Sequence, residues 1–160
     1  MSPKSINRLS AFLVEAKRRT YAGLDDDATV PAQIFPGSKQ LEYAEQELSY
    51  RDIYFGMTFF VGQEVVQRGQ KVIWSMSYAG GLTPDILERE EAIGIYGFLR
   101  KALLGIRADA PFRGPLLFEE GELRYMNSPS GKISEFYGEE QICRSGRIIY
   151  RLRYSGGAIR

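Results

Sequence analysis

The sequence contains no histidine and only one cysteine, Cys143. Without histidine the chain cannot form a Ser-His-Asp or Cys-His catalytic arrangement, use an imidazole as acid or base, or bind a metal through imidazole. One cysteine supports neither a disulfide framework nor a thiolate zinc site. We therefore expect no metal, no cofactor and no catalytic residue of these types, which favours a protein that is not an enzyme.

The chain also lacks an excess of either charge and any long apolar run. Its 160 residues include 21 Lys and Arg against 20 Asp and Glu, and the only basic cluster is Lys17-Arg18-Arg19. Nucleic-acid affinity depends on clustered cations, so direct nucleic-acid binding is not expected. No stretch approaches the roughly 18 apolar residues of a membrane span, and no signal-peptide core is present. We expect a cytoplasmic protein with no membrane partner.

Two segments of the sequence resemble two later ones. Residues 62–81 align with 138–157 at a shift of 76, with seven of twenty positions identical. A second block, 41–52, aligns with 116–127 at a shift of 75. This pattern is typical of an internal duplication. It predicts a single domain whose repeats cover the following ranges: domain 1–160, repeat one about 5–81, repeat two about 85–157.

Each repeat begins with a helical pattern and continues with alternating strands. Apolar residues recur at helical spacing after Ser5, and Asp85 with Glu88 offers a capping box for the second helix. Hairpin turns are predicted at Gln46 or Gly121, at Gly69-Gln70 and at Ser145-Gly146. We predict an α+β fold, an internal duplication of a helix followed by a three- to four-stranded antiparallel meander, with pseudo-twofold symmetry.

Residues 24–40 form the least regular stretch of the chain. They include two prolines, and the second repeat has a shorter segment at this point. A loop of this length is either a functional lid or a mobile connection, and the sequence leaves both open.

Aromatic residues recur on the strands and are candidates for a ligand pocket. Tyrosine and tryptophan combine an apolar face with one polar atom, which suits a flat or amphipathic ligand. The alternative is that these side chains pack in the core, which is usual for alternating strand positions. The aromatic candidates are Tyr50, Tyr54, Trp74, Tyr78, Tyr150 and Tyr154.

Glu64 and Glu140 occupy matching positions in the two repeats and have two interpretations. If Val66 and Ile142 are buried, period-two alternation turns both carboxylates toward the interior, where each needs a partner or a raised pKa. Arg68 and Arg144 would be those partners only if the strands curl. In the other interpretation the glutamates are surface charges on strands that bury their opposite face.

Arg51 and Asp52, followed by Tyr54, stand out because the second repeat replaces this charged pair with Met126-Asn127. Loss of the charges from one repeat is typical of functional divergence, and equally of drift on a surface. We include Arg51 and Asp52 among the candidate ligand-binding residues.

Several runs of the sequence resemble a bacterial domain family of unknown function, found alone or fused to XRE-type helix-turn-helix regulators. They are FLVEAKRRTYAG (12–23), LEYAEQELSYRDIYFG (41–56), FVGQEVVQRGQKVIWSMSYAGG (60–81) and RLRYSGGAIR (151–160). The resemblance implies no activity, since no catalytic residues are established for the family. By analogy it implies a sensory or effector role in transcription regulation.

Three functions from different classes follow from these patterns. The first is a non-catalytic small-molecule-binding or regulatory domain of the effector type, with an aromatic, acidic cleft between the repeats. The second is a carboxylate-based enzyme of unknown reaction, with Glu64 or Asp52 as base and Tyr54 or Arg51 stabilising developing charge. The third is an interaction module that forms a homodimer through an exposed strand edge. The absence of a catalytic motif favours the first.

Overall fold

The computed structural model of the chain describes residues 3–23, 33–86 and 88–160. Each helix is followed by four strands. In chain order the elements are α1 (Pro3–Arg19), β1 (Lys39–Glu45), β2 (Leu48–Gly56), β3 (Phe59–Arg68), β4 (Lys71–Leu82), α2 (Arg89–Leu103), β5 (Leu117–Glu120), β6 (Leu123–Lys132), β7 (Glu135–Arg144) and β8 (Arg147–Ala158).

All eight strands belong to one antiparallel sheet with the order β1-β2-β3-β4-β8-β7-β6-β5. The two longest strands, β4 and β8, lie at its centre and pair from Trp74 opposite Ala158 to Leu82 opposite Tyr150. Tyr78 lies opposite Tyr154 in the middle of this register. The short strand β5 and the strand β1 form the two edges.

The predicted fold class is wrong. The structure is a mostly-sheet fold, a single eight-stranded antiparallel sheet with two helices, and not a duplicated helix-plus-meander with a cleft where two units abut. The reason is that β4 and β8 hydrogen-bond to each other along their length, so backbone pairing fills the expected seam. Sequence alternation reports which residues share a face and does not report how separate strand groups assemble.

The local turns agree with the sequence prediction. Gln46 lies between β1 and β2 with a φ of 54°. Gly69 and Gly146 lie in the two tight turns that follow β3 and β7, and Gly121 lies between β5 and β6, all three with positive φ. Polar and glycine residues mark such turns because they tolerate the left-handed backbone.

The helix starts differ from the prediction. The helix α1 begins at Pro3, so Ser5 lies inside it; proline suits a first helical position because its missing N–H would be unpaired there. The helix α2 is preceded by Glu88 in extended conformation, and Asp85 instead forms an ion pair with Arg147. Neither helix of the described ranges is long and apolar enough to cross a membrane.

One face of the sheet carries the core. On β4 the side chains of Trp74, Met76 and Tyr78 are buried, while Ser77 is exposed on the other face. The helix α1 packs against β1 and β2, and α2 packs against β5 and β6. Of the irregular 24–40 stretch, residues 24–32 lie outside the described residues, so neither prediction for this loop is tested.

Candidate functional site

Two glutamates lie in the core on the helix-covered face of the sheet. The side chain of Glu64 is 2% exposed and that of Glu140 is fully buried. They share this face with Val66 and Ile142, both of which are buried. The structure therefore supports the inward-facing interpretation of the two acids and excludes the surface one.

Glu140 is held by a charge-paired network. Arg113 donates two parallel hydrogen bonds to it, at 2.7 Å to Oε1 and 3.1 Å to Oε2. The hydroxyls of Tyr125 and Tyr150 donate one further bond each, at 2.6 and 2.8 Å. Two-pronged pairing with a guanidinium is among the strongest hydrogen-bonded contacts that a carboxylate makes. Glu140 and Arg113 thus form a buried ion pair.

Glu64 is paired less completely. Lys17 Nζ forms an ion pair with Glu64 Oε2 at 2.6 Å, and this contact raises the pKa of Lys17 against the larger lowering by burial. The ammonium of Lys17 also donates to the carbonyl of Phe112. Tyr50 hydrogen-bonds to Glu64 and has its pKa raised well above the ordinary value, first by burial and then by the Glu64 charge.

Arg68 and Arg144, the partners considered from the sequence, do not reach these acids. Arg68 pairs with Glu47 at 3.3 Å and Arg144 pairs with Glu91. Residues four apart on a strand are separated by about 13 Å, which is too far for direct contact. The actual partners come from α1 and from the segment after α2.

A third acid, Asp52, adjoins Glu64. The two residues are cross-strand partners on β2 and β3, and Asp52 is 5% exposed. The hydroxyl of Tyr78 donates to Asp52 Oδ1 at 2.6 Å. Burial first and the Glu64 charge second raise the pKa of Asp52, and the Tyr78 hydrogen bond with the Lys17 and Arg113 charges lowers it, so that the pKa lies at about 7. Asp52 therefore exchanges its proton near neutral pH.

The other half of the sheet has an amide at the corresponding place. Asn127 lies opposite Glu140, as Asp52 lies opposite Glu64. The hydroxyl of Tyr154 donates to Asn127 Oδ1 at 2.7 Å, and Asn127 Nδ2 donates to the carbonyl of Gly114 at 2.9 Å. At this position, therefore, one half of the sheet has an acid, Asp52, and the other half has a neutral amide, Asn127.

A small cavity adjoins Asp52 and Glu64, between the sheet and the ends of the two helices. Its volume is about 20 Å³, roughly the room of one water molecule. The sheet contributes one wall, and α1 with the turn after it and the end of α2 with the following segment contribute the other. The lining residues are Lys17, Thr20, Tyr21, Ala22, Tyr50, Asp52, Glu64, Leu103, Ile106, Phe112 and Arg113.

The segment between α2 and β5 closes the cavity and is held down by polar bonds. Lys17 and Arg18 of α1 donate to the carbonyls of Phe112 and Ile106, the second at 3.0 Å. The amide of Gly114 donates to the Tyr125 hydroxyl at 3.1 Å. The basic cluster Lys17-Arg18-Arg19 at the end of α1 therefore has two members that bind this segment.

The candidate residues named from the sequence separate into three groups. Tyr50, Asp52 and Glu64 line the cavity. Arg51 lies on the opposite face of the sheet, where it pairs with Glu42 at 2.6 Å. The remaining candidates pack in the core behind the cavity, and they are Tyr54, Trp74, Tyr78, Glu140, Tyr150 and Tyr154.

Trp74 illustrates that core role. Its side chain is fully buried, its indole N–H donates to the carbonyl of Ile133 at 3.1 Å, and its ring stacks against Phe136. Lys17 Nζ lies 5.8 Å from the centre of the same ring, a cation–π contact. Trp74 thus supports the ammonium that faces Glu64.

Sequence reasoning missed the two cations of the site. In the sequence Lys17 stands out only as part of a basic cluster, and Arg113 lies in an irregular segment between Phe112 and Gly114. A lone arginine among apolar and glycine residues was the available signal for Arg113. Within the described ranges, no group of three or more acids or cysteines is placed to hold a metal ion.

Comparison with known protein families shows which family the chain belongs to. A family model described as "Domain of unknown function (DUF5680)" matches residues 52–159. The chain belongs to this family. The matched part of the DUF5680 domain includes Asp52, Glu64, Arg113 and Glu140, whereas Lys17 precedes it. No curated protein and no solved structure matches the chain.

Proposed function

We propose that the protein is a small-molecule-binding domain whose site is the cavity beside Asp52 and Glu64. The observation that carries the proposal is a buried acid, Asp52, that faces a hollow and accepts a single hydrogen bond from the described residues. Desolvated groups with shifted pKa values next to a cavity are typical of functional sites.

Stability alone does not account for this arrangement. Lys17, Asp52, Glu64, Arg113 and Glu140 are all at least nine-tenths buried, and removing five ionisable groups from water is costly. Buried ion pairs are often no better for stability than apolar side chains of the same volume. A binding role gives the cluster a use beyond folding.

Entry of a ligand larger than water requires displacement of the segment after α2. Lys17 and Arg18 donate hydrogen bonds to two carbonyls of that segment, and these hydrogen bonds link the end of α1 to the cavity. Ligand binding would therefore alter contacts of α1. This coupling suits the sensory or effector role in transcription regulation that the family resemblance implies, and a cytoplasmic location is part of the same proposal.

The test is a ligand-observed NMR screen of small cations, anions and neutral aromatics against the full chain. Ala22 lines the cavity and is 6% exposed, so Ala22→Leu would fill it. Ala79→Leu, on an exposed position of β4 that lines no cavity, is the matched control. We expect hits that Ala22→Leu loses and Ala79→Leu keeps. Hits that survive Ala22→Leu, or no hits at all, would contradict the proposal.

A second candidate, acid–base catalysis, is favoured by the pKa of Asp52, about 7, which suits proton exchange at neutral pH. Asp52 would be the base; Arg51, on the opposite face, would not contribute. Turnover of any substrate that Asp52→Asn abolishes while binding persists would favour this candidate over pure binding. The homodimer prediction remains separate and involves the sheet edges β1 and β5.

A further inference from the structure

The face of the sheet opposite the two helices carries a cluster of exposed apolar side chains around the β2–β3 hairpin. On β3, Phe59 and Val61 alternate with the buried Phe60, which places them on this open face. Phe55 is the cross-strand partner of Val61, and the Phe35 ring lies 6.4 Å from the Phe55 ring. We call this cluster the hairpin patch; its side chains are 45–67% exposed, and they are Phe35, Phe55, Met57, Phe59 and Val61.

The fold does not require apolar side chains at these positions, because the β6–β7 hairpin has polar ones. The strand registers align the two hairpins, since β2 and β6 each reach their turn at a glycine with positive φ, Gly56 or Gly131. An exposed apolar cluster that the fold does not need is typical of a surface that a partner covers. The polar residues at the corresponding places are Ser130 for Phe55, Lys132 for Met57 and Glu135 for Phe59.

The area of the hairpin patch matches one side of a stable protein–protein interface. A phenylalanine side chain has about 150–250 Å² to bury, so three half-exposed rings together with Met57 and Val61 present roughly 500 Å² of apolar surface. A standard interface takes about 800 Å² from each partner, and somewhat more than half of that area is apolar. The patch therefore supplies the apolar share of one side of such an interface.

The open face is also complementary to itself in shape. Phe59 and Val61 form a ridge on β3, and the exposed small side chains of Ser77 and Ala79 form a shallow row beside it on β4. A twofold axis between these two strands places the ridge of one copy over the small side chains of the other. Two sheets pack in this manner face to face, about 10 Å apart.

The charges at the rim of the patch are paired, which suits a second copy better than a polyanion. On the β8 side, Arg151 and Arg153 share Glu139, at 3.4 and 2.8 Å. On the β1 side, Arg51 pairs with Glu42 at 2.6 Å. A nucleic acid or an anionic membrane requires a cluster of available cations, whereas these five residues leave a single excess positive charge. A second copy meets the patch without a block of like charges.

From its exposure, area, shape and charge, we infer that the hairpin patch is the interface of a homodimer in which the open faces of two sheets pack together about a twofold axis. This contact uses a face of the sheet and not the edge strands that the sequence favours for a dimer. It lies on the opposite side of the sheet from the cavity beside Asp52 and Glu64, so it stands independently of the proposed small-molecule site.

The first experiment is sedimentation equilibrium of the full chain over a wide range of concentrations, and we expect a species with twice the mass of the chain. The double variant Phe55→Ser with Phe59→Glu places on β2 and β3 the residue types that the other hairpin carries, so the fold should be retained. It should weaken dimerisation at least about tenfold. Tyr137→Glu is the matched control, because Tyr137 is 67% exposed on β7 and lies outside the patch; it should dimerise as the natural chain does.

A cross-linking measurement tests the contact without removing any phenylalanine. In a Cys143→Ser background, Val61→Cys should form a covalent dimer with a short bis-maleimide, and Tyr137→Cys should form little. A natural chain that stays monomeric, a dimer that persists in the folded double variant, or equal cross-linking at the two positions would overturn the inference. A monomer that binds vesicles of phosphatidylcholine and phosphatidylserine through the patch would also overturn it, and would assign the patch to a membrane.

Discussion

The Tyr78 hydroxyl donates a 2.6 Å hydrogen bond to Asp52 Oδ1 across the intervening strand β3. Tyr154 makes the corresponding bond to Asn127 at 2.7 Å. The tyrosine geometry is the same in both places, but one acceptor titrates and the other does not. Because of this difference, an acid that hydrogen-bonds to a β4 or β8 tyrosine, Asp52, is found on only one side of the β4–β8 pair.

Replacing Tyr78 with phenylalanine should raise the pKa of Asp52 above 7. The hydroxyl stabilises the ionised carboxyl, so its removal leaves burial and the Glu64 charge less opposed. The pKa is read from the carboxyl ¹³C shift of Asp52 during a pH titration. Tyr154→Phe is the control, and an equal pKa change in that variant would contradict the assigned hydrogen bond.

Asp52 should make the protein less stable as pH rises from about 4 to 7. Its pKa is about 7 in the folded chain against 3.8 ordinarily, so the folded state binds more protons in this window and stability falls as they are lost. Each unit of pKa difference corresponds to about 1.4 kcal/mol. Urea unfolding of Asp52→Asn should show a flatter pH profile, and a profile as steep as that of the natural chain would count against the shift.

Glu140→Gln should destabilise the fold by about 3–5 kcal/mol, because Arg113 then stays buried without its counter-charge. The neighbour Glu139 lies on the other face of β7, where it pairs with Arg153 at 2.8 Å. Glu139→Gln should therefore cost no more than about 1 kcal/mol. Chemical unfolding of the two variants measures the difference, and equal losses would refute the buried pairing.

Gly62→Ala should displace the Tyr78 ring and lower stability by about 1–3 kcal/mol. A Cβ at Gly62 would lie 2.3 Å from the Tyr78 hydroxyl oxygen, which the Asp52 bond holds in place. Gly94→Ala, on α2 with open space around it, should instead stabilise by about 0.5–1 kcal/mol. Thermal unfolding compares them, and a neutral Gly62→Ala would show that the ring is not confined.

Much of the local structure was accessible from the sequence. Core packing on alternating strand positions was one of the two interpretations of Trp74 and Tyr78, and both are buried; glycine or polar residues identified the hairpin turns, because both signals act over a few residues. The assembly of the strands into one sheet was not accessible. In the pairing of β4 with β8, Tyr78 lies opposite Tyr154, which is 76 positions later in the chain. The local sequence of neither strand indicates which strand will be its partner.

The candidate site could be predicted from the sequence only in part. Matching positions selected Glu64 and Glu140, but alternation alone left their face undecided, since an acid fits either side of a strand. Lys17 comes from a helix and Arg113 from an irregular segment, at long chain distances from the acids they face. Tertiary packing, which no local pattern encodes, brings these charges together.

The most direct measurement is the carboxyl ¹³C pH titration of Asp52 in the natural chain. We predict a pKa of about 7, because burial and the Glu64 charge both disfavour the ionised carboxyl. A value near 3.8 would contradict a buried acid that exchanges its proton near neutral pH beside the cavity.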